Sequence, residues 1–266
     1  MPVNKPSLDK KDLRGLRPLI IVAKKQEKTV ALDHSEIYKL DNKKISFKAP
    51  NNISICLSIS EREYDVAKDM FIRLVRPKLK SPKDNIEFET TEINDLYDYF
   101  EHLQISLIFI YTAVEAFANI AIPREFTYEK LNNKKVKEIW NKESIERWLP
   151  TSEKISNIIP SILKLKSPKT EPFWADFTKL EEIRNEIIHQ KTVTNENNVS
   201  SKYLKEFFDE NVFKVIRAGF SVIEYFCSNS EHGHIYFPKG IGKLMVTPIE
   251  IDDFDEYFEE VTEDDK

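Results

Sequence analysis

Glycine and cysteine are scarce in this chain of 266 residues, which contains five glycines and two cysteines. The sequence has no GxGxxG fingerprint, Walker A loop or GxSxG elbow, so dinucleotide-binding folds, P-loop enzymes and α/β-hydrolases are poor fits. Cys56 and Cys227 are far apart and make no disulfide framework, which favours a reducing compartment. The first residues lack the apolar segment of a secretory signal, so we expect a cytoplasmic protein.

Acidic residues are concentrated at the C-terminal end. The chain has a net charge of −5, but residues 250–266 hold ten acidic residues and one lysine, so residues 1–249 carry +4. This split suits an RNA-binding surface that an acidic tail could cover, and it equally suits a tail that only maintains solubility. The aromatic residues of the tail favour a docked helix over a frayed one.

Short alternating segments predict some β structure near both ends of the chain. The predicted strands cover residues 18–22, 45–47, 53–59, 234–237 and 244–246. We expect the C-terminal strands to meet the N-terminal ones. The predicted organisation has three segments: residues 1–60 with a β-hairpin, residues 61–230 with a helical bundle, and residues 231–266 with short strands and the acidic tail.

Helical periodicity dominates the middle of the chain and predicts a mainly α fold. The predicted helices cover residues 64–75 (ending before Pro77), 93–121, 155–163 (kinked at Pro160), 171–190 and 203–227. Residues 93–121 approach transmembrane length, but polar side chains interrupt the run, so we predict a buried core helix and no membrane span. Gly219 suggests a close approach between helices, and the charged residues 125–148 suggest a solvated insertion.

Two groups of residues allow either a binding role or a structural one. The first is the basic group Arg73, Arg76, Lys78, Lys80 and Lys83. It is either a solvated helix end, favoured by the helix dipole, or a set of phosphate contacts. The second is Cys227, His232 and His234, whose spacing matches no standard zinc pattern. We predict no metal and no cofactor, and a zinc-dependent enzyme is the less favoured alternative.

The segment 171–190 carries the residues with the clearest chemical meaning. Its apolar stripe consists of Phe173, Phe177, Leu180, Ile183 and Ile187, widened by Trp174 and Ile188. Arg184 falls near the middle of this stripe, where a permanent cation needs a partner or an interface. Asn185 and His189, four residues apart, share a neighbouring face. One helix therefore carries a cation, an amide and an imidazole.

Glu115 resembles Arg184, because it is a single charge on a mostly apolar helix. We predict that the two residues pair, or that each meets a partner across a dimer interface. Asn119 lies four residues further on and shares the face of Glu115. Both are predicted supporting residues of the site, and an ordinary structural ion pair is the alternative.

The pattern from Arg184 to His189 resembles the Arg-x4–6-His signature of HEPN domains. The polar Asn185 after the arginine fits this pattern. The residues that precede the motif, Leu149-Pro150, Pro172 and Trp174, also resemble those of bacterial members. The resemblance implies an up-and-down helical bundle of four or five helices that forms a homodimer with two facing motifs. Lys191 stands where some toxin-type members carry a tyrosine.

The resemblance also implies a metal-independent endoribonuclease with a defence or toxin–antitoxin role. Its partners would be RNA and an antitoxin or other partner protein. We predict His189 as general acid and base, Arg184 as phosphate clamp and Asn185 as positioning residue, since these groups match the needs of cleavage by the 2′-hydroxyl. The alternative is a non-catalytic HEPN-like dimer that binds RNA, a nucleotide or a partner protein.

Overall fold

The structure is a computed structural model that describes residues 12–23, 28–131, 134–189, 202–230, 234–242 and 246–249. Its helices are α1 Asn52–Met70, α2 Arg76–Leu79, α3 Ile93–Ala121, α4 Lys142–Trp148, α5 Thr151–Glu153, α6 Ile159–Leu163, α7 Trp174–Ile188, α8 Lys202–Phe207 and α9 Val212–Asn229. Its strands are β1 Leu19–Ala23, β2 Lys28–Leu32, β3 Ser35–Leu40, β4 Lys43–Lys48, β5 Thr127–Leu131, β6 Lys137–Asn141 and β7 Val246–Ile249. The mainly α fold with a small β region is confirmed.

Helix α3 lies at the centre of the helical bundle and packs against α1, α7 and α9. Its apolar positions recur every three or four residues, and Leu103, Leu107 and Ile110 are fully buried. Of the part of the chain that the structure describes, the segment Thr90–Ala121 alone is long and apolar enough to cross a membrane, and half of its most apolar window is buried in the fold. This burial agrees with the predicted core helix.

Small residues bring the helices close together at two crossings. Ser60 on α1 and Ser106 on α3 are fully buried, and each hydroxyl donates to the other residue's carbonyl oxygen at 2.9 Å. Gly219 on α9 faces Ile110 on α3 and Leu180 on α7, and a Cβ atom there would lie 3.1 Å from Leu180 Cδ2. The predicted close approach at Gly219 is confirmed.

The sheet region joins the two ends of the chain. Strand β1 pairs antiparallel with β2 and parallel with β7, so the predicted meeting of N-terminal and C-terminal strands is confirmed. The prediction of a strand at residues 234–237 is wrong, because these residues form a turn. The carbonyl oxygens of Tyr236 and Phe237 accept from Asn51 Nδ2 at 2.9 and 3.3 Å and so hold the start of α1.

The predicted strand at residues 53–59 is also wrong, because this segment belongs to α1. Asn51 caps the helix, and its Oδ1 accepts from the Ser54 N–H at 3.2 Å. The buried residues Ile53, Leu57 and Ser60 are spaced as one face of a helix. The alternation of isoleucines therefore misled the prediction, since burial follows the three-to-four-residue period instead.

Two further predictions differ from the structure, and the predicted solvated insertion at residues 125–148 contains regular elements. The helical path does not end before Pro77, because a π-helical turn at Phe71–Val75 leads into α2, where proline suits the first turn. The predicted helix 203–227 is two helices, separated where the Asn211 N–H donates to Asp209 Oδ1 at 2.9 Å. The segment 125–148 contains the hairpin β5–β6 and α4.

Candidate functional site

Helix α7 carries the predicted site residues on its C-terminal half. The helix is held in the core by Phe177, Leu180, Ile183 and Ile187, which are buried at helical spacing. Ile188 is exposed and does not widen the stripe as predicted. The helix begins at Trp174, after a 3-10 turn at Pro168–Thr170, so it is shorter than the predicted segment 171–190.

Arg184 lies at the edge of the buried stripe and reaches toward α3. Its Nη2 lies 3.5 Å from Glu115 Oε2, so the predicted pairing within one chain is present. Its guanidinium carbon lies 4.7 Å from the centre of the Tyr111 ring, and its Nη1 donates to Asn185 Oδ1 at 3.0 Å. The side chain is 22% exposed, and its buried Nε has no hydrogen-bond partner among the described residues. The cation is therefore fixed from one side and open on another.

Tyr111 is a member of the site that the sequence prediction missed. Its hydroxyl donates to Glu181 Oε1 at 2.7 Å, and the Ser152 N–H donates to the same oxygen at 3.3 Å. Burial raises the pKa of Tyr111, with a further rise from Glu181. The phenol therefore stays neutral and presents its ring face to Arg184. A signal exists in hindsight, because Tyr111 lies one turn before Glu115 on the same helix face.

Asn119, predicted as a supporting residue of the site, contacts a buried lysine and not the residues of α7. Its Oδ1 accepts from Lys154 Nζ at 2.9 Å, and the Glu146 carbonyl oxygen accepts from the same amine at 3.0 Å. Lys154 is 1% exposed, and it begins the π-helical turn Lys154–Ile158. Burial lowers the pKa of Lys154, and the nearby charge of Glu115 opposes this effect. Asn119 thus connects a buried lysine to the face of α3 that carries Glu115.

His189 lies at the C-terminal end of α7, where the helix stops. Its backbone N–H donates to the Asn185 carbonyl oxygen at 2.9 Å, and its own φ and ψ of −112° and 59° are not helical. Asn185 and His189 are both exposed. Among the residues that the structure describes, none hydrogen-bonds the His189 ring. Its imidazole is therefore accessible to a ligand or a second subunit.

Within the chain, the structure does not join Arg184 and His189. Arg184 turns toward α3, and His189 follows five residues later, roughly 140° further around the helix. A cavity of about 450 Å³ is lined by Tyr64, Phe173 and Arg217, among other residues, and one of about 440 Å³ lies along α3. Neither is lined by Arg184 or His189. The motif is thus an open, one-sided surface rather than a closed pocket.

The basic group near the end of α1 is largely neutralised. Arg73 Nε lies 2.8 Å from Asp69 Oδ2, Lys78 Nζ lies 2.7 Å from Glu92 Oε2, and Arg76 pairs with Glu210. These contacts favour the structural interpretation for three of the five basic residues. The group is a poor source of free positive charge for a phosphate.

The residues considered as metal ligands have other surroundings. Cys227 is buried as a free thiol, and burial raises its pKa to about 12. His234 Nδ1 accepts from the Tyr236 N–H at 3.2 Å, and burial lowers the pKa of His234. His232 lies outside the described residues. The described part of the chain brings together no group of three His, Cys, Asp or Glu side chains suited to a metal ion.

Comparisons of the chain with models of protein families, with curated proteins and with solved structures found no match. The resemblance to HEPN domains therefore stays a prediction that rests on the residues from Arg184 to His189. What this surface can do is inferred from the contacts of Arg184, Glu115 and Tyr111 and from the exposure of His189.

Proposed function

We propose that this protein is a metal-independent endoribonuclease of the HEPN type that acts as a homodimer. One observation carries the proposal: Glu115 and Tyr111 hold the Arg184 cation on α7, while Asn185 and His189 at the end of the same helix are exposed. A fixed cation, an exposed amide and an exposed imidazole on one helix are the types of group that phosphodiester cleavage uses, and the proposed dimer would bring them together.

The chemistry explains why a second subunit is needed. A base removes the proton of the 2′-hydroxyl, the 2′-oxygen attacks the phosphorus, and the 5′-oxygen leaves and takes a proton. The products are a 2′,3′-cyclic phosphate and a 5′-hydroxyl. A neutral imidazole accepts the first proton and an imidazolium donates the second, so two histidines divide the work best. In the proposed dimer, His189 of each subunit supplies one of them.

Arg184 retains the capacity to bind a phosphate in this arrangement. A guanidinium has five N–H donors in a planar fork. The described contacts use the Arg184 Nη1 donor toward Asn185 and bring Nη2 near Glu115. Glu115 is itself 38% exposed, so the ion pair is screened by water and costs little to rearrange. A phosphate oxygen would therefore meet an oriented cation.

The test is cleavage of a single-stranded RNA by the purified protein in EDTA. We expect His189→Ala to reduce the rate by about 10²- to 10⁴-fold, since it removes the proton-transfer group, and Arg184→Ala to reduce it strongly. His102→Gln and Arg73→Ala are matched controls, because His102 contacts Glu63 and Arg73 contacts Asp69, away from α7. Undiminished cleavage by both α7 variants would refute the assignment.

A second function is favoured by the internal contacts of Arg184. Its ion pair and ring contact would equally suit a structural residue in a non-catalytic dimer that binds RNA, a nucleotide or a partner protein. This alternative predicts that RNA is bound and not cut. A gel shift of intact RNA by the wild-type protein, unchanged in His189→Ala, would favour it.

A further inference from the structure

The hairpin formed by β3 and β4 stands out because every one of its strand residues is exposed. The strands pair antiparallel from Ser35↔Lys48 to Leu40↔Lys43, and the turn places Asp41 at a φ of 50°. A two-stranded hairpin with both faces in water is marginal on its own. Its surface is therefore available for a partner.

One face of the hairpin is aromatic and apolar. Alternation and the strand register place four aromatic and apolar residues on this face, Tyr38, Leu40, Ile45 and Phe47, together with the charged residues Glu36 and Lys43. The four aromatic and apolar residues are 54%, 62%, 43% and 42% exposed, respectively. The Tyr38 and Phe47 rings are stacked, with centroids 5.7 Å apart and an interplanar angle of 13°. The protein thus presents a stacked aromatic pair within a contiguous exposed apolar patch, the kind of surface that marks interaction sites.

Lysines surround this aromatic pair. Residues 35–48 contain four lysines and two acidic residues, a net charge of +2. Lys48 Nζ lies 2.6 Å from Asp33 Oδ2, whereas Lys39, Lys43 and Lys44 form no ion pair with any described residue. Lys43 shares the aromatic face, and Lys39 and Lys44 lie on the other. Lys39 is next to Tyr38 in the chain, and the register places Lys44 opposite Lys39 and Lys43 opposite Leu40, so three lysines lie on the strands that carry the stacked rings.

The base of the hairpin is firmly held. The Ala49 N–H donates to the His34 carbonyl oxygen at 2.8 Å, and the Leu16 N–H donates to the Ala49 carbonyl oxygen at 3.0 Å. After Pro50, Asn51 caps α1. The hairpin is thus hydrogen-bonded at its base and leads within two residues into the first helix of the bundle.

We propose that this face binds single-stranded RNA, with bases stacked on Tyr38 and Phe47 and phosphates beside Lys39, Lys43 and Lys44. Aromatic rings flanked by basic residues match the two features of a single strand, its unpaired bases and its charged backbone. A second copy of the hairpin, which carries a net charge of +2 over residues 35–48, would bring like charges together. A duplex keeps its bases inside the stack. The choice of RNA rests on the proposed function, for which the hairpin would recruit the substrate.

The experiment measures binding of a fluorescent single-stranded RNA of about 16 nucleotides. Fluorescence anisotropy is recorded in EDTA on the full-length His189→Ala chain, so that the probe stays intact. The double variant Tyr38→Leu/Phe47→Leu keeps an apolar strand face and removes both rings. We expect it to weaken binding by about 5- to 150-fold or more. Replacing Lys39, Lys43 and Lys44 by Gln is expected to lower the slope of log K against log salt by about 0.7 for each lost phosphate contact.

Tyr97→Leu is the matched control, because this tyrosine is 61% exposed on α3 and lies outside the hairpin. Unchanged affinity in both hairpin variants would overturn the proposal. So would loss of a dimer without loss of RNA affinity, which would identify the face as a protein contact, or equal affinity for duplex RNA of the same length.

The two proposals fail separately. If wild-type protein never cuts RNA but the hairpin variants still lose affinity, the ribonuclease assignment fails and the binding face stands. If cleavage depends on His189 but hairpin variants bind and cut like the wild type, the binding face fails and the ribonuclease assignment stands.

Discussion

The guanidinium carbon of Arg184 lies 4.7 Å from the centre of the Tyr111 ring, and this contact joins α7 to α3. The ring is fixed in turn, because its hydroxyl donates to Glu181 on α7. The Tyr111 side chain on α3 therefore contacts α7 twice, through its ring and through its hydroxyl. The position of the permanent cation relative to the end of α7 depends on this ring, so its removal has consequences that can be measured.

Two substitutions of Tyr111 distinguish the contribution of its ring from that of its hydroxyl. Tyr111→Phe keeps the face under Arg184 and loses the hydrogen bond to Glu181, so we expect about 0.5–1.5 kcal/mol less unfolding free energy and near-normal RNA cleavage. Tyr111→Leu also removes the cation–π contact, and we expect a further loss of about 0.5–2 kcal/mol with clearly slower cleavage. Urea denaturation and cleavage rates test both. Equal rates in the two variants would contradict a positioning role for the ring.

Lys154 gives the protein a pH dependence in the alkaline range. Burial lowers the pKa of Lys154 below its ordinary value of 10.5, so the unfolded chain holds this proton more tightly than the folded one. Stability therefore rises with pH between the lowered pKa and 10.5, because the cost of burying the charge disappears.

In Lys154→Met we expect no such rise in stability with pH. The difference in unfolding free energy between variant and wild type should therefore change steadily between the lowered pKa of Lys154 and pH 10.5. Urea denaturation from neutral pH toward pH 10.5 measures it. Lys205→Met, which replaces an exposed lysine on α8, should run parallel to the wild type. Parallel curves for Lys154→Met as well would show that the amine is not buried in its charged form.

Glu63 gives the protein a second pH dependence, at acidic pH. His102 Nδ1 lies 2.5 Å from Glu63 Oε2, and Arg62 Nε donates to Glu63 Oε1 at 2.9 Å. Burial raises the pKa of Glu63, but the hydrogen bonds from His102 and Arg62 outweigh it and leave the pKa below its ordinary 4.5. Glu63 therefore stabilises the fold above pH 4.5, and this contribution is lost as pH falls through the lowered pKa.

We expect Glu63→Gln to destabilise the protein by about 1–3 kcal/mol at neutral pH, since hydrogen bonds to a charged group are lost. The difference from the wild type should vanish well below pH 4.5. Glu101→Gln is the control, because Glu101 is exposed on α3. Denaturation curves that stay separated in acid would count against the assigned contacts.

Gly219→Ala tests the tight crossing of α9 over α3 and α7. In an open helix this change stabilises by up to about 1 kcal/mol. Here the added methyl group meets Ile110 and Leu180, so we expect a loss of about 1–3 kcal/mol from overpacking. The direction of the change in Tm on thermal unfolding tests this prediction. We expect a lower Tm, and a raised Tm would show that the helices can move apart at no cost.

Much of the fold could be predicted where one period dominates. Helix α3 repeats its apolar residues every three or four positions over many turns. Helix α7 has the same repeat, and the repeat stops where the helix ends. The strand prediction for residues 53–59 failed because the isoleucines there follow a two-residue alternation. Asn51 as a helix cap and the burial of Leu57 favour a helix instead. The hairpin β5–β6 was missed because its residues are mostly exposed, and the half-buried positions Tyr128, Glu138 and Trp140 include a charged one, so no apolar alternation marks it in the sequence.

The site could be predicted only in part, for a physical reason. Glu115 and Arg184 were recognisable because a lone charge on an apolar helix needs a partner. Tyr111 and Lys154 were missed because a tyrosine and a lysine are ordinary on a helix until tertiary packing buries them. Asn119 was placed correctly on the face of Glu115, but its partner Lys154 comes from a different element, which no helical wheel can show.

The most direct measurement of the central claim is the chemical identity of the RNA ends produced in EDTA. Mass spectrometry of a cleaved oligonucleotide should find 2′,3′-cyclic phosphate on the upstream fragment and a 5′-hydroxyl on the downstream one, with both absent for His189→Ala. Intact RNA with the wild-type protein, or the same fragments from His189→Ala, would contradict the claim that Arg184 and His189 cut RNA without a metal.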